Sequence, residues 1–254
     1  MTVLDQTLDR EVTIRAPRDL VFRFFTDSPR WASWWGAGST IDARVNGDVL
    51  IRYPGGTEAI GKVLEIDPPK KIVFSYGYAK GVPIPAGESR VTIQLDAVRE
   101  GTRVHVHHAF ADAAVRQQHV QGWRYQLSLF SNVVSNEVHA AADATVDAWF
   151  AMWSEPRAEQ RHRELDRIAA SDITMQDRFS AIQGVNDVRA HLDAVQVHMP
   201  GYVLRRDGDA RHCQGQVLVK WKASGQGKPP LAGTNLFQLA ADGRIQSVIG
   251  FWDT

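Results

Sequence analysis

The sequence has one cysteine, Cys213, so no internal disulfide can form, and nothing beside that residue offers a metal-ligand spacing such as CxxC. Folding must rest on apolar cores, and a reducing compartment suits the chain. No run approaches the ~18 apolar residues of a membrane span. The N-terminal stretch MTVLDQTLDREVTIRAP carries Asp5, Asp9 and Glu11 where a secretory leader has an apolar segment. A cytoplasmic location with no membrane partner is therefore expected. Net charge is also missing: Lys plus Arg is 29 and Asp plus Glu is 29, and neither half departs from neutrality by more than one charge. Such a balance excludes a chain built to grip a phosphate backbone, so nucleic acid is not an expected partner. There is no repeat at a fixed period and no low-complexity segment. GQGKPPLAG has glycines but lacks the GxxxxGK[ST] pattern of a phosphate loop, and no cofactor is expected.

What the chain has is length and tryptophan. Its 254 residues, 44% hydrophobic and 23% charged, are enough for two domains of common size. Residues 9–15 alternate like a strand, and Ala16-Pro17 opens a helical stretch, PRDLVFRFF. Strand-like segments follow at 38–44, 48–53, 58–66, 71–78, 89–98 and 102–110, separated by NGD, PGG, DPPKK, PIPAGE and REGT turns. From Ala111 to about Val138 no turn signal interrupts. Val115, His119, Trp123, Leu127, Phe130 and Val134 recur at spacings of three and four, predicting a long amphipathic helix. The Ala-rich stretch from His139 to Ala144 is the best linker candidate, with simple helix as the alternative. Beyond it the pattern predicts helices in DATVDAWFAMW and RAEQRHRELDRIA, a strand in ITMQDRFS, and a helix opened by Asn186 or Asp187. Strands then follow in YVLRRDGDARH, QGQVLVKWKA, TNLFQLA and GRIQSVIGFW.

The segments TIRAPRDLVFRFF, WASWWG, VLEIDPPKKIVFSY, TRVHVHHAF and HVQGWRYQLSLF, in that order, resemble the START/SRPBCC superfamily, in its branch similar to the C-terminal domain of the activator of heat-shock-protein ATPase. The resemblance implies, for residues 1–138, an antiparallel helix-grip sheet over a long C-terminal helix around an apolar cavity. In the second half, IAASDITMQDRFSAIQGVNDVRAHL, MPGYVL and GTNLFQLAADGRIQSVIGFWD resemble the SnoaL-like branch of the nuclear-transport-factor-2-like superfamily. That implies, for residues 139–254, a cone-shaped α+β barrel-like domain around a pocket. The expected class is thus α+β in two domains, and SnoaL-like domains imply a homodimer. Both superfamilies hold carriers and enzymes, so fold alone does not choose between them.

Candidate residues follow from these pockets. Trp31, Trp34, Trp35, Tyr76, His119 and Trp123 are the ligand-binding candidates of the first half. Trp149, Trp153, His191, Trp221, Phe237 and Trp252 are those of the second. Large rings suit an aromatic or polyketide-like ligand, though they also fill cores. In VHVHHAF, alternation turns His108 inward with Val104 and Val106, making it a candidate proton carrier or a structural histidine. His105 and His107 face the other way with no third ligand spaced to join them, so no metal is expected. If the face of His119 and Trp123 roofs the cavity, His119 and His108 approach each other. Arg52 and Glu58 are a polar pair without functional meaning. Asp177, in ITMQD, falls where SnoaL-like proteins place a polar group toward the pocket, and a carboxylate there can move a proton at carbon. Asp253 is the second carboxylate of the pattern, and His198 is placed with His191 at the pocket rim. The leading expectation is binding of a small, largely apolar molecule. A cofactor-free acid/base cyclase, isomerase or dehydratase is the alternative, and a co-chaperone that activates an ATPase is the third.

Overall fold

The computed structural model describes residues 3–253. It divides into two compact units, one ending at Ser135 and the other starting at Asn136. Each is α+β, with six helices in all among the described residues, none long and apolar enough to cross a membrane.

The first unit contains β1 (Gln6–Ile14), α1 (Arg18–Arg23), α2 (Ser28–Trp35), β2 (Thr40–Ile41), β3 (Asp48–Arg52), β4 (Glu58–Asp67), β5 (Lys71–Tyr78), β6 (Ser89–Val98) and β7 (Gly101–Phe110). Helix α3 (Ala113–Val138) follows, and the unit boundary falls inside it. The strands form one antiparallel sheet in the order β1-β7-β6-β5-β4-β3-β2. Strict alternation fixes its faces: Val91, Ile93 and Leu95 of β6 point inward while Arg90 and Gln94 point out. The sequence assigned no element to WASWW; the structure makes it α2. Asp27 caps that helix by accepting the Arg30 N–H at 3.0 Å, and Pro29 sits in its first turn. Asp112 does the same for α3 through the Val115 N–H at 2.9 Å. Trp123, Leu127, Phe130 and Val134 are the buried stripe of α3.

The second unit holds α4 (Ala142–Ser154), α5 (Ala158–Ile168), β8 (Ala169–Gln176), β9 (Ala181–Gln183), α6 (Val185–His198), β10 (Val203–Arg206), β11 (Arg211–Cys213), β12 (Gln216–Ser224), β13 (Leu231–Leu239) and β14 (Ile245–Trp252). The sheet runs β10-β12-β13-β14-β8-β9, with β11 also on β12 and the β14–β8 pair parallel. Several expectations are corrected. The expected linker is a turn at 139–141, with His139 buried and bonded to the Ala240 carbonyl at 3.0 Å. YVLRRDGDARH is two short strands, because Gly208 takes a positive φ of 90° and breaks the run. Helix α6 starts at Val185 behind Gly184, not at Asn186 or Asp187. The strand in ITMQDRFS stops at Gln176. There Asp177 makes a turn that returns the chain as β9, its N–H donating to Ser180 O at 2.9 Å.

Candidate functional site

Each unit encloses a cavity. That of the first is about 610 Å³ and lies under α3, walled by Trp35, Tyr53, Tyr76, Tyr78, His108 and Trp123, with Val82 and Tyr125 exposed at its mouth. Among the described residues lining it there is no Asp, Glu, Lys or Arg. Its polar groups follow from the hydrogen bonds. Ser89 Oγ donates to the Tyr76 carbonyl at 2.8 Å, so it must accept from His108 Nε2 at 2.9 Å. The indole N–H of Trp123 donates to His108 Nδ1 at 3.0 Å. Both ring nitrogens of His108 are therefore committed, with the proton on Nε2. Burial, and after it the neighbouring His119 and His107, hold its pKa well below the ordinary histidine value. With no lone pair left for a substrate, the ring sets the position of Trp123.

His119 is arranged differently. Its Nδ1–H donates to the Val115 carbonyl one turn back at 2.8 Å, so Nε2 carries the lone pair, and Tyr78 Oη lies 3.4 Å from it. Burial lowers its pKa, while the bond to Val115 acts the other way. The His108 and His119 ring centres are 5.6 Å apart. Tyr53 Oη and Tyr76 Oη are 2.9 Å apart, and burial raises both phenol pKa values above the usual tyrosine range. The sequence reading missed Tyr53 and Tyr78. Tyr53 follows β3, and Tyr78 shares the inward face of β5 with Tyr76 by its period of two.

Trp31 and Trp34 do not line the cavity. Both are buried in the core, their indoles donating to the Leu50 carbonyl at 3.1 Å and the Phe24 carbonyl at 3.4 Å. Trp34 packs on Phe25 and Phe130, with ring centres 5.7 and 4.8 Å away. One turn of helix presents three tryptophans at 31, 34 and 35, and only Trp35 reaches the wall. On the outer sheet face His105 Nε2 and His107 Nδ1 both bond Asp9 Oδ1, at 3.0 and 2.9 Å. Arg52 and Glu58 form the exposed ion pair at 2.8 Å.

The second cavity is about 470 Å³. Trp149 and Trp153, four residues apart on α4, make one wall, with the His191 ring 5.7 Å from Trp153. Trp221 Nε1 donates to Asn235 Oδ1 at 3.0 Å, which leaves the Asn235 amide hydrogens without a protein partner among the described residues. Asp177 is half-buried at the cavity edge. Its Oδ1 accepts from Phe179 N at 2.8 Å and Ser180 Oγ at 2.8 Å, and its Oδ2 from Trp252 Nε1 at 3.3 Å. Gly250 lies between these two polar groups: a Cβ there would meet Asp177 Cβ at 3.2 Å and Asn235 Oδ1 at 3.3 Å. Phe237 is not in the wall; it is fully buried, edge-on to Trp149 and Phe150. His198 is exposed and off the rim, whereas Asp253 lies at the mouth. Among the described residues no group of three His, Cys, Asp or Glu side chains is arranged to hold a metal.

Two α+β units, each with a sheet and helices enclosing an aromatic cavity, are the class that fold and site define. Residues 15–135 match the family described as activator of Hsp90 ATPase homolog 1-like protein, just under half of the chain and all within the first unit. No curated protein matches the chain. Among solved structures, the chain is similar to a candidate isomerase of the SnoaL-like family from Agrobacterium tumefaciens, at 23% identity over 46% of this chain and 99% of the other, with a TM-score of 0.42. It is also similar to the Aha1 dimer from Colwellia psychrerythraea, at 18% identity over 49% and 93%, TM-score 0.41. CalU16 from Micromonospora echinospora gives 24% identity over 52% and 76%, TM-score 0.40. None of these likenesses carries a substrate or a reaction over to this chain.

Proposed function

We propose that the protein binds a small, largely apolar molecule, aromatic or polyketide-like, in one or both cavities. The observation that carries this is the first cavity: 610 Å³, walled by aromatic rings, with no charged side chain in its lining among the described residues. Its volume suits a multi-ring metabolite, and burying apolar area there drives binding at about 25 cal/mol per Å². Neutral walls reject an ion, because a charge leaving water finds no counter-charge. In this reading the first unit is a START/SRPBCC-type helix grip, residues 1–138, and the second a SnoaL-like cone, residues 139–254. A homodimer and a cytoplasmic location belong to the same reading; light scattering at micromolar concentration that gives a monomer mass refutes the dimer. Native mass spectrometry of protein from its own host should show a retained small molecule. A tryptophan-fluorescence screen of polycyclic aromatics should quench Trp35 and Trp123, and no response to any of them would sink the proposal.

A second reading, a cofactor-free acid/base enzyme in the second unit, is favoured by one arrangement. Asp177 Cβ and Asn235 Oδ1 flank Gly250 at the cavity wall, so a carboxylate residue and an amide whose hydrogens have no partner among the described residues belong to the same part of the cavity. In a cyclisation, isomerisation or dehydration Asp177 moves the proton and Asn235 holds an oxygen. Asp177→Asn should abolish turnover with ligand affinity nearly intact. Unchanged turnover would remove Asp177 from the mechanism.

A further inference from the structure

The first cavity contains more than a binding surface. On its wall His119 presents Nε2 as a lone pair, because the Val115 carbonyl can only accept and so fixes the other hydrogen on Nδ1. The hydrogen-bonding group beside that lone pair among the described residues is Tyr78 Oη at 3.4 Å, beyond the usual range for a hydroxyl donor and readily displaced by a ligand. The Tyr76 and His119 ring centres are 6.1 Å apart. Tyr53 Oη and Tyr76 Oη are 2.9 Å apart and Tyr76 also bonds Tyr78, so once a ligand takes the His119 lone pair from Tyr78 this chain of three phenols keeps one hydroxyl hydrogen for it. A base and an uncharged donor thus face the same space, whose lining has no charged side chain among the described residues.

We propose that this cavity is a proton-transfer site for an uncharged, enolisable aromatic ketone, with His119 as the base and the Tyr53–Tyr76 pair as donor to the carbonyl oxygen. The inference rests on the reading that the first cavity receives a small apolar molecule. In the step, His119 Nε2 takes a proton from the carbon beside the carbonyl, the C–H electrons form the new C=C bond, and the carbonyl π electrons move to oxygen. The phenol hydrogen bond steadies that oxygen. The Val115 carbonyl, accepting from Nδ1–H, stabilises the imidazolium that forms. Return of a proton to the same carbon exchanges it with solvent, and return to a conjugated carbon moves the double bond. Atoms and electrons balance without oxidant, reductant or cofactor. His108, with both nitrogens occupied, orients Trp123 and takes no proton.

The test uses the full chain and 2-tetralone, an uncharged aromatic ketone, in deuterated buffer. Binding is followed by tryptophan quenching and exchange by mass spectrometry. Exchange should run well above that in buffer with equimolar imidazole. His119→Gln should lower it at least about 100-fold, the lower end of what a positioned base supplies. Tyr53→Phe and Tyr76→Phe should each lower it about tenfold or more, with affinity changed less than about threefold, since they remove a group that acts on the developing oxyanion. Binding without accelerated exchange, or an unchanged rate in His119→Gln, overturns the inference and leaves the binding reading standing. Failure of 2-tetralone to bind overturns the ketone assignment, and only failure of the whole aromatic screen overturns the binding reading as well.

Discussion

The two cavities are built from the same material and differ in what they leave polar. The first has neutral donors and a histidine lone pair; the second has the charged groups Asp177, Arg178 and Asp253 and an Asn235 amide whose hydrogens have no partner among the described residues. Both are walled by tryptophan, yet each indole that accompanies a polar group has its N–H aimed at that group: Trp123 at His108, Trp221 at Asn235, Trp252 at Asp177. Tryptophan here is scaffold as much as surface. It fixes which atom of its partner remains for a ligand. In the first unit the indole closes off a histidine nitrogen, and in the second it holds the carbonyl oxygen of an asparagine and so fixes which way the amide faces.

The largest effect expected separates core from wall. Trp31→Ala removes a fully buried ring and should lower stability by about 3–5 kcal/mol in denaturant unfolding. A loss below about 1 kcal/mol would mean that Trp31 is wall after all. Next is pH. Burial holds the pKa of His108 well below the ordinary histidine value in the folded chain, whereas in the unfolded chain it binds a proton below its ordinary pKa near 6.5. The unfolded state thus gains more protons on acidification, and stability falls as pH drops below about 6.5, at up to about 1.4 kcal/mol per unit from this residue. Unfolding midpoints at pH 7 and 5.5 that coincide would break this assignment. The smallest effect contrasts two glycines. Gly122 sits in α3 with nothing within 4 Å of an added Cβ, so Gly122→Ala should stabilise by about 0.5–1 kcal/mol through helix propensity. Gly250→Ala, crowded by Asp177 and Asn235, should stabilise nothing and weaken ligand binding in the second cavity; thermal melts of both variants check the difference.

Much of the architecture was legible because periodicity reports a face. The buried stripe of α3 and the inward turn of His108 both follow from spacing alone. What failed had a local cause. WASWW gave no clear period over so short a span, and its helix declares itself only through the Asp27 cap and Pro29. YVLRRDGDARH looked continuous because alternation does not register a positive φ at Gly208. At the site, composition proposed the tryptophans but did not divide them, since a core ring and a wall ring have the same sequence signature; Trp31, Trp34 and Phe237 fell on the core side. The sequence put His108 forward as the proton carrier and His119 only as a ligand contact, and spacing does not say which histidine keeps a lone pair. That depends on what each nitrogen touches, and Ser89 and Val115 are the residues that decide it.

The central claim, that the neutral cavity of the first unit receives a small apolar molecule, meets its most direct test in isothermal titration of the full chain with 2-tetralone, wild type against Gly122→Phe. The substitution places a ring at the mouth, where an added side chain meets open space rather than backbone. The account predicts binding to the wild type that Gly122→Phe weakens at least tenfold while the protein stays folded, roughly 1.4 kcal/mol of lost affinity. Equal affinity in both proteins would contradict it.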